Sequence, residues 1–417
     1  MTREAIYRGD TDICLVSLGA SVANLAAGRN TQAAGGAELQ VARLTRLLSD
    51  AGLRVSLVAS SDEYSEELAR DMQGKGIRLV PSYQEGGIPY LRYFYATIPR
   101  FWGALKRANS SVYYLRGSSG FVGMTAEFCR RHGRRMIFAV SSDGDLQPEL
   151  VGERFNWRDR ALYRWGLQRA DAVVVQTRVQ QEELKRHWGI DGILIRSLYL
   201  RPESPPSDQP KEHVLWAGRA RRVKRPDLFL ELARRMPEHT FAMAGQREMP
   251  GEEVLCQTIT EEAKSIPNLL FLGAVPFGEM ASWYDRSWLF VNTSTTEGFP
   301  NTFLEAWDRG LPVVATVDPD RLLSEGGLGF VCKDVDEIAA RIELLHRDRR
   351  LLAEIGERAR AYVASEHQRD GIVSRYRNLI ASLSAGVTGR PAAPAPDLAG
   401  AAAPARSQEG VSDASDH

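Results

Sequence analysis

Glu297 and Glu305 are the two acids of residues 296–307, TEGFPNTFLEAW, and they flank a loop that leads into an apolar helix start. Thr302 and Glu305 fit the Ser/Thr-x-x-Glu capping box, in which both side chains satisfy free amides at a helix start. Alternatively, exposed N–H groups of residues 301–303 form an anion site, and the two carboxylates accept hydrogen bonds from hydroxyls on either side. That second interpretation predicts a ligand with a phosphate between two polyols. The stretch alone favours neither interpretation.

A second set of chemically useful residues follows a predicted strand that ends at Gly218, in VLWAGRARRVKRPDLFLEL. Arg219 and Lys224 lie in the loop between this strand and a helix that begins near Pro226. Arginine can grip two phosphate oxygens at once and lysine adds a mobile point charge, so the pair suits a diphosphate. The alternative is a solvated basic turn, since three further arginines make the whole stretch basic.

Two shorter motifs lie in loops of the first half of the chain. Gly35 and Gly36 occupy the first predicted βα loop, where glycine lets backbone amides approach a phosphate. Asp143 and Asp145 follow a predicted strand and could hold a Mg²⁺ or Mn²⁺ ion that carries a nucleotide diphosphate. Such an ion would duplicate the role of Arg219 and Lys224 in binding the diphosphate, so we expect no metal and no cofactor. We place both aspartates on the acceptor side. An ordinary Asp-Gly-Asp turn is the structural alternative.

Short apolar runs alternate with amphipathic helical stretches, which is typical of parallel sheets built from βαβ units. The pattern predicts an α/β fold with two Rossmann-like parallel-sheet domains, residues 1–200 and 213–365, facing a central cleft. A proline-rich linker, 201–212, separates them. We expect a C-terminal helix over 366–385 that packs back on the first domain. Residues 386–417 are rich in alanine, proline, glycine and serine, so we expect them to be disordered.

The strands of both domains are predicted from their apolar runs. They cover 13–20, 54–60, 76–82, 111–117, 134–142 and 170–177 in the first domain, and 213–219, 239–245, 268–274, 287–294 and 311–316 in the second. Domains of this kind bind ligands at the carboxyl ends of the strands, where the two sheets face each other.

Composition excludes some classes of partner and site. The 417 residues balance 53 lysines and arginines against 53 aspartates and glutamates, which gives no support for a nucleic-acid partner. The four cysteines are scattered along the chain, which argues against a zinc site or a disulfide framework and fits a reducing cytosol.

The sequence also bears on location. The charged N-terminus has no apolar core, and no apolar run approaches the roughly 20 residues needed to span a bilayer. We therefore expect a cytoplasmic protein that can associate peripherally with the inner face of the membrane. The aromatic and basic stretch 86–108 would suit contact with a lipid-linked acceptor or an anionic bilayer. Its alternative is a buried helix with one exposed, arginine-bearing side.

The motifs taken together resemble a known family. Gly-Arg-x4-Lys after a strand, followed by E-G-F-P-N-T-F-L-E-A-W with glutamates spaced E-x7-E, is similar to the retaining nucleotide-sugar glycosyltransferases of family 4, which have the GT-B fold. The similarity extends through LPVVATVDPD, ADAVVVQT and the Gly-Gly pair, and covers roughly residues 12–382 in organisation. It implies transfer of a hexose from a UDP- or GDP-sugar to a hydroxyl of a saccharide or lipid-linked acceptor, in cell-surface polysaccharide or glycoconjugate synthesis.

The resemblance also implies roles for individual residues. Arg219 and Lys224 would neutralise the donor diphosphate as the sugar leaves, and Glu297 would lie beside the transferred sugar as the third catalytic residue. Glu305 would bind the ribose hydroxyls of the nucleotide. The donor-binding set is completed by Gly35, Gly36 and Gly218, by Leu272 and Gly273 near the base, and by the backbone at Phe299, Asn301 and Thr302.

The chain departs from the family pattern in one place. Many relatives carry a histidine in the first-domain crevice, after the strand corresponding to 134–142, where this chain has FAVSSDGDL. We therefore assign no catalytic histidine and expect Asp143 or Asp145 on the acceptor side instead. The alternative functions are a nucleotide-sugar epimerase or hydrolase of the same fold, or a non-catalytic nucleotide-sugar-binding subunit. The intact pair of glutamates, together with Arg219 and Lys224, argues against the subunit.

Overall fold

A computed structural model describes residues 10–19, 21–29, 35–82, 97–202, 210–245 and 251–387, which form two α/β domains. The predicted disordered tail beyond Val387, most of the predicted linker, and the first half of the aromatic and basic stretch lie outside the described residues.

The first domain is built on a parallel sheet. Its strands are β1 (Thr11–Val16), β2 (Val55–Ala59), β3 (Ile77–Pro81), β4 (Ser110–Arg116), β5 (Arg135–Ala139), β6 (Ala172–Val175) and β7 (Ile193–Leu194). They pair in the order β3-β2-β1-β4-β5-β6-β7. The helices are α1 (Val22–Ala26), α2 (Gly36–Asp50), α3 (Glu66–Gly74), α4 (Ile98–Ala108), α5 (Gly120–His132), α6 (Pro148–Arg154), α7 (Trp157–Leu167) and α8 (Arg178–Trp188).

The second domain repeats this plan. Its strands are β8 (His213–Ala217), β9 (Thr240–Ala244), β10 (Leu269–Gly273), β11 (Ser287–Asn292), β12 (Val313–Ala315) and β13 (Gly329–Val331). They pair in parallel in the order β10-β9-β8-β11-β12-β13. Its helices are α9 (Pro226–Arg235), α10 (Glu253–Lys264), α11 (Met280–Asp285), α12 (Asn301–Asp308), α13 (Val335–Arg347) and α14 (Arg349–Glu366).

Each sheet is covered on both faces, which explains why its strands are continuously apolar rather than alternating. In β1, Ile13 and Leu15 enter one apolar cluster and Cys14 and Val16 enter another, because successive side chains point to opposite faces. The second sheet has two such clusters as well. Rigid, doubly covered sheets hold the loops at their carboxyl ends in fixed positions.

The last described helix returns to the first domain. Helix α15 (Arg369–Val387) buries Ile372, Val373, Tyr376 and Ile380 in the same apolar cluster as β1 and α2. The chain therefore crosses from the second domain to the first just before this helix.

Two buried aspartates of the second domain contact the first domain and the segment that joins the two domains. Asp308 accepts hydrogen bonds from the Tyr199 hydroxyl (3.0 Å) and Arg201 Nε (2.7 Å). Asp320 accepts from the backbone N–H of Arg178, at the start of α8, at 2.6 Å, and from Arg196 Nη1 at 2.5 Å. These contacts fix how the two sheets face each other.

The structure departs from the sequence prediction in a few places. Two short strands, β7 and β13, were not predicted, and the strand before the basic loop ends at Ala217 rather than Gly218. Helix α4, the described part of the aromatic and basic stretch, buries Phe101 and Leu105 in the core and exposes Lys106 and Arg107. The described part of the stretch is therefore a helix with one buried face and one exposed, basic face. None of the described helices is long and apolar enough to cross a membrane.

Candidate active site

A cleft of about 730 Å³ lies between the carboxyl ends of the two sheets. The first domain lines it from the start of α2, the end of β4 and the loop after β5. The second domain lines it from the basic loop after β8 and from residues 296–302, the loop that leads into α12, with the beginning of that helix. This is the crevice in which doubly wound α/β domains bind their ligands.

The predicted cations lie in this cleft. Arg219 and Lys224 both line it, and Lys224 ends a 3-10 turn, Arg222–Lys224, that runs directly into α9. Lys224 Nζ donates to Glu297 Oε1, which joins the basic loop to the predicted catalytic acid. The interpretation as a merely solvated basic turn is therefore wrong for Lys224, which is held at the ligand crevice.

One oxygen of Glu297 carries most of its hydrogen bonds. Oε1 accepts from Lys224, from the Ser294 hydroxyl at 2.7 Å and from Asn292 Nδ2 at 3.4 Å. Among the described residues no partner is recorded for Oε2. The carboxylate is thus fixed in position through one oxygen, which leaves the other for a ligand hydroxyl.

Glu305 lines the cleft but does not cap its helix. Helix α12 begins at Asn301 with Pro300 as N-cap and no side-chain cap, so Thr302 lies inside the helix and the predicted capping box is wrong. The Glu305 side chain instead accepts a hydrogen bond from the Tyr284 hydroxyl at 2.9 Å. Burial raises the pKa of Glu305, opposed by the nearby Arg43 charge and by this hydrogen bond.

Two helix N-termini meet at the cleft. Helix α2 begins at Gly36 and α12 begins at Asn301, and Asn301 Nδ2 donates to the Gly36 carbonyl at 3.4 Å. Gln40 on α2 donates to Asn301 Oδ1 at 2.8 Å. A Cβ on Gly35 would lie only 2.6 Å from Arg219 Nη2. The structure therefore brings the Gly-Gly pair, the basic loop and α12 together, with two positive dipole ends suited to phosphate.

Asp143 and Asp145 behave differently from each other. Asp145 is 1% exposed and accepts hydrogen bonds from the backbone N–H and hydroxyl of Ser141 (both 2.8 Å) and from the Ser118 hydroxyl (2.7 Å). It completes a capping box with Ser142, so the structural alternative applies to it. Asp143 accepts from Gln180 Nε2 at 2.9 Å, and burial raises its pKa to about 6. Neither aspartate is among the residues that line the cleft.

Three further predicted donor residues differ in their surroundings. Gly218 lines the cleft. Leu272 is packed against the apolar cluster beneath α12, and Ala274 and Val275, the first two residues after β10, line the cleft beyond it. Phe299 lines the cleft too, but its ring is 6% exposed and packs 5.2 Å from the His367 ring. Its side chain is a core contact, which leaves its backbone for a ligand.

Several residues of the cleft were not predicted from the sequence. Arg116, at the end of β4, and Ser141 and Ser142, after β5, line the first-domain wall, and Tyr284 supports Glu305. The position of Arg116 at the carboxyl end of a central strand could have identified it, because such positions face the ligand.

One group of described residues could hold a metal ion, and it lies away from the cleft. His239 Nε2 is 2.8 Å from Glu343 Oε1 and 3.8 Å from Glu238 Oε1. His239 precedes β9, whereas the cleft lies at the opposite, carboxyl end of that strand. The group therefore lies at the amino end of the strands, whereas the predicted donor site lies at their carboxyl end.

Two family models match the chain. The model of the glycosyl transferase 4-like domain matches residues 35–200, and that of the glycosyl transferases group 1 matches residues 211–348. Together they cover most of both domains and the residues of the cleft.

Curated relatives match over part of their length. A D-inositol 3-phosphate glycosyltransferase of Paenarthrobacter aurescens is 28% identical over 183 residues, which is 39% of this chain and 45% of that protein. The lipopolysaccharide core biosynthesis glycosyltransferase LpsE of Rhizobium meliloti is 30% identical over 156 residues, 34% of this chain and 46% of that protein. The matches thus span about half the length of these relatives.

Solved structures share the fold over nearly the whole chain. HepE of Anabaena, solved in complex with UDP and glucose, has a TM-score of 0.71 and 17% identity, and covers 89% of this chain and 100% of its own. Sucrose-phosphate synthase of Thermosynechococcus elongatus has a TM-score of 0.68 and 18% identity, with 90% and 99% covered. At such identities the likeness establishes the two-domain fold.

Proposed function

The chain belongs to the family 4 glycosyltransferases with the GT-B fold, and on that premise we propose that it transfers a hexose-type sugar from a nucleoside diphosphate sugar to an acceptor hydroxyl, with retention of the anomeric configuration. The single observation that carries the proposal is the joining of Lys224 to Glu297 beside Arg219, at the meeting point of two helix N-termini. This arrangement supplies positive charge for a diphosphate and an acid for the adjoining sugar.

The donor would lie across the cleft along the second domain. Arg219, Lys224 and the N-terminus of α12 would hold the diphosphate, Glu305 would accept hydrogen bonds from the ribose, and Glu297 Oε2 would accept one from the transferred sugar. The base would pack near Leu272 and Gly273. The donor diphosphate would compete with Glu297 for the Lys224 ammonium. Lys224 could therefore shift from Glu297 toward the diphosphate as negative charge develops on the leaving phosphate.

Catalysis would depend on positioning and on electrostatic stabilisation of the leaving diphosphate. The acceptor oxygen forms a bond to the anomeric carbon on the face from which the phosphate oxygen departs, and the leaving phosphate takes the acceptor proton. Arg219 and Lys224 stabilise the charge on that phosphate as the bond breaks. On this proposal Arg219 and Lys224 would supply the required cations, and no metal or cofactor would be needed.

The test is turnover of a panel of UDP- and GDP-sugars, with and without saccharide or lipid-linked acceptors, beginning with UDP-glucose. We expect acceptor-dependent release of nucleoside diphosphate and a product whose anomeric configuration, measured by NMR, matches that of the donor. Donor consumption without any acceptor would instead support the epimerase or hydrolase. Binding without turnover under all conditions would support the non-catalytic subunit. Turnover should survive EDTA, and its loss with rescue by Mn²⁺ would contradict the metal-independent mechanism.

We also propose where the reaction takes place. The acceptor would belong to cell-surface polysaccharide or glycoconjugate synthesis, and the relative named for lipopolysaccharide core biosynthesis supports this class. The protein would work in the cytoplasm and bind peripherally to the inner face of the membrane, with the exposed Lys106 and Arg107 of α4 toward anionic lipid. Co-sedimentation with anionic vesicles at low salt tests this, and equal recovery with neutral vesicles would reject it.

A further inference from the structure

Arg116 is the cation of the first-domain wall of the cleft. We propose that it forms a subsite for an oxyanion, a phosphate or carboxylate group carried by the acceptor, an inference that rests on the proposed function and narrows its acceptor class. Arg116 is the last residue of β4, a central strand of the first sheet, and its side chain lines the cleft. This is the wall that faces the donor-binding residues.

One N–H donor of Arg116 is buried and unsatisfied. Arg116 Nε is buried and has no hydrogen-bond partner, and no carboxylate among the described residues lies within ion-pair distance of the guanidinium. Arginine is always charged and carries five N–H donors, and a buried donor without an acceptor is costly to the fold. A ligand oxyanion can accept two of these N–H groups at once.

Arg116 also lies close to the returning C-terminal helix. Tyr114, two residues earlier on the same face of β4, packs edge-to-face against Tyr376 of α15, with ring centroids 6.0 Å apart. Burial raises the pKa of the Tyr376 phenol, and the nearby Arg116 charge opposes that shift. The Arg116 side chain therefore lies near Tyr376 of α15, on the first-domain wall of the cleft.

The charged residues of the first-domain wall also indicate which ligand the wall would bind. The described first-domain residues that line the cleft include no aspartate or glutamate. Asp145, close by, has its carboxylate occupied by Ser118, Ser141 and Ser142. Arg116 is thus the one charged side chain among the described first-domain residues that line the cleft, and it would favour an anionic acceptor over a neutral one.

The donor does not need this arginine. Its diphosphate has Arg219, Lys224 and the N-terminus of α12 on the opposite wall. Ser141 lines the same wall and lies beside Gly117, the residue after Arg116, where a Cβ would be 3.1 Å from the Ser141 Oγ. The Ser141 hydroxyl donates to Asp145, so its oxygen can accept a hydrogen bond from an acceptor hydroxyl.

The experiment uses the full chain saturated with whichever of UDP or GDP binds, so that the donor cations are occupied. Inorganic phosphate and acetate are then titrated separately by calorimetry. We expect at least one of them to bind the wild type, with affinity reduced roughly tenfold or more in Arg116→Gln and only partly restored in Arg116→Lys, which keeps the charge but not the two-point grip. The control is Arg130→Gln, an exposed arginine of α5 that pairs with Glu127, which should bind like the wild type.

Kinetics give a second measurement once an acceptor is known. The same anion should inhibit the wild type competitively against acceptor and not against donor, and Arg116→Gln should abolish that inhibition while raising the KM for acceptor. Equal anion binding by wild type and Arg116→Gln would overturn the proposal, and so would a loss of nucleoside diphosphate affinity in Arg116→Gln. If the wild type binds no nucleoside diphosphate, the proposed function fails, and the anion titration of the free protein still decides the role of Arg116.

Discussion

Among single residues, the acids in the cleft and in the loop beside it are held in three different ways. Glu297 is fixed through one oxygen by Lys224 and Ser294, Glu305 is buried against Tyr284, and Asp145 is consumed by serine hydroxyls and amides. Asp143 differs from all of them, because burial raises its pKa to about 6 and it lies at the edge of the cleft without lining it. A buried acid with a raised pKa destabilises the fold whenever it is ionised.

Replacing Asp143 by Asn should therefore stabilise the protein at alkaline pH. Because the folded-state pKa of about 6 lies above the ordinary value of 3.8, the acid contributes full stability below pH 3.8 and loses it as the pH rises through 6. We expect Asp143→Asn to gain on the order of 2 kcal/mol at pH 8 and nothing near pH 4. Urea unfolding at both pH values measures this, and an equal change at pH 8 and pH 4 would contradict it.

At the scale of elements, the loop before α12 meets the loop after β5 of the other domain. Gly298 forms an antiparallel bridge with Ser142, and the Asp143 N–H donates to the Glu297 carbonyl at 3.4 Å. A Cβ on Gly298 would lie 2.4 Å from the Ser141 carbonyl oxygen. Glycine is required at position 298 because the backbone of Ser141 and Ser142 approaches so closely. This explains the glycine of the TEGFPN stretch.

Gly298→Ala should therefore disturb the contact between the two loops. We expect kcat to fall roughly tenfold or more, since positioning is worth about that much for small displacements, while the affinity for nucleoside diphosphate stays near wild type. Steady-state kinetics and calorimetry measure the two effects. Gly278→Ala is the control, because a Cβ there meets nothing within 4 Å. Unchanged kcat in Gly298→Ala would show that this contact is not needed for turnover.

Which features of the structure could be predicted depends on how local the sequence pattern behind each feature is. Burial on both faces makes the long strands continuously apolar, so these strands, and the basic loop that follows one of them, were predictable. The strands β7 and β13 have only two and three residues, which is too short for a recognisable pattern. The capping box failed because the side chain of Glu305 turns inward to Tyr284, a partner on another helix. The need for glycine at 298 could not be predicted, because it depends on the backbone of the other domain.

At the scale of the whole molecule, the two sheets are locked together by buried acids. Asp320 is 4% exposed and reaches across to Arg196, 6% exposed, and to the N-terminus of α8 through the N–H groups of Arg178 and Val179. Asp308 holds the joining segment through Tyr199. Both acids belong to the second domain, and their partners lie in the first domain or the segment between the two.

Asp320→Ala should loosen this packing. Removing one partner of a buried ion pair costs about 3–5 kcal/mol, because the remaining charge is left unpaired. We expect the melting temperature to fall by several degrees and the radius of gyration from small-angle X-ray scattering to rise. The exposed Glu325→Ala, which removes an ion pair with Arg321 on the same loop, is the control and should change neither. A wild-type melting temperature in Asp320→Ala would contradict the role of this pair.

We claim that the cleft binds a nucleotide sugar with Glu305 on the ribose and Glu297 on the sugar. Calorimetric titration of nucleoside diphosphate into wild type, Glu305→Gln and Glu297→Gln tests this claim. A hydrogen bond to a carboxylate is worth roughly 1.5–3 kcal/mol, so Glu305→Gln should bind on the order of tenfold more weakly or worse. Glu297→Gln should keep or raise the affinity, because it removes the acid that competes for Lys224, and should lower turnover. Unchanged affinity in Glu305→Gln, or an equal loss in both variants, would contradict the claim.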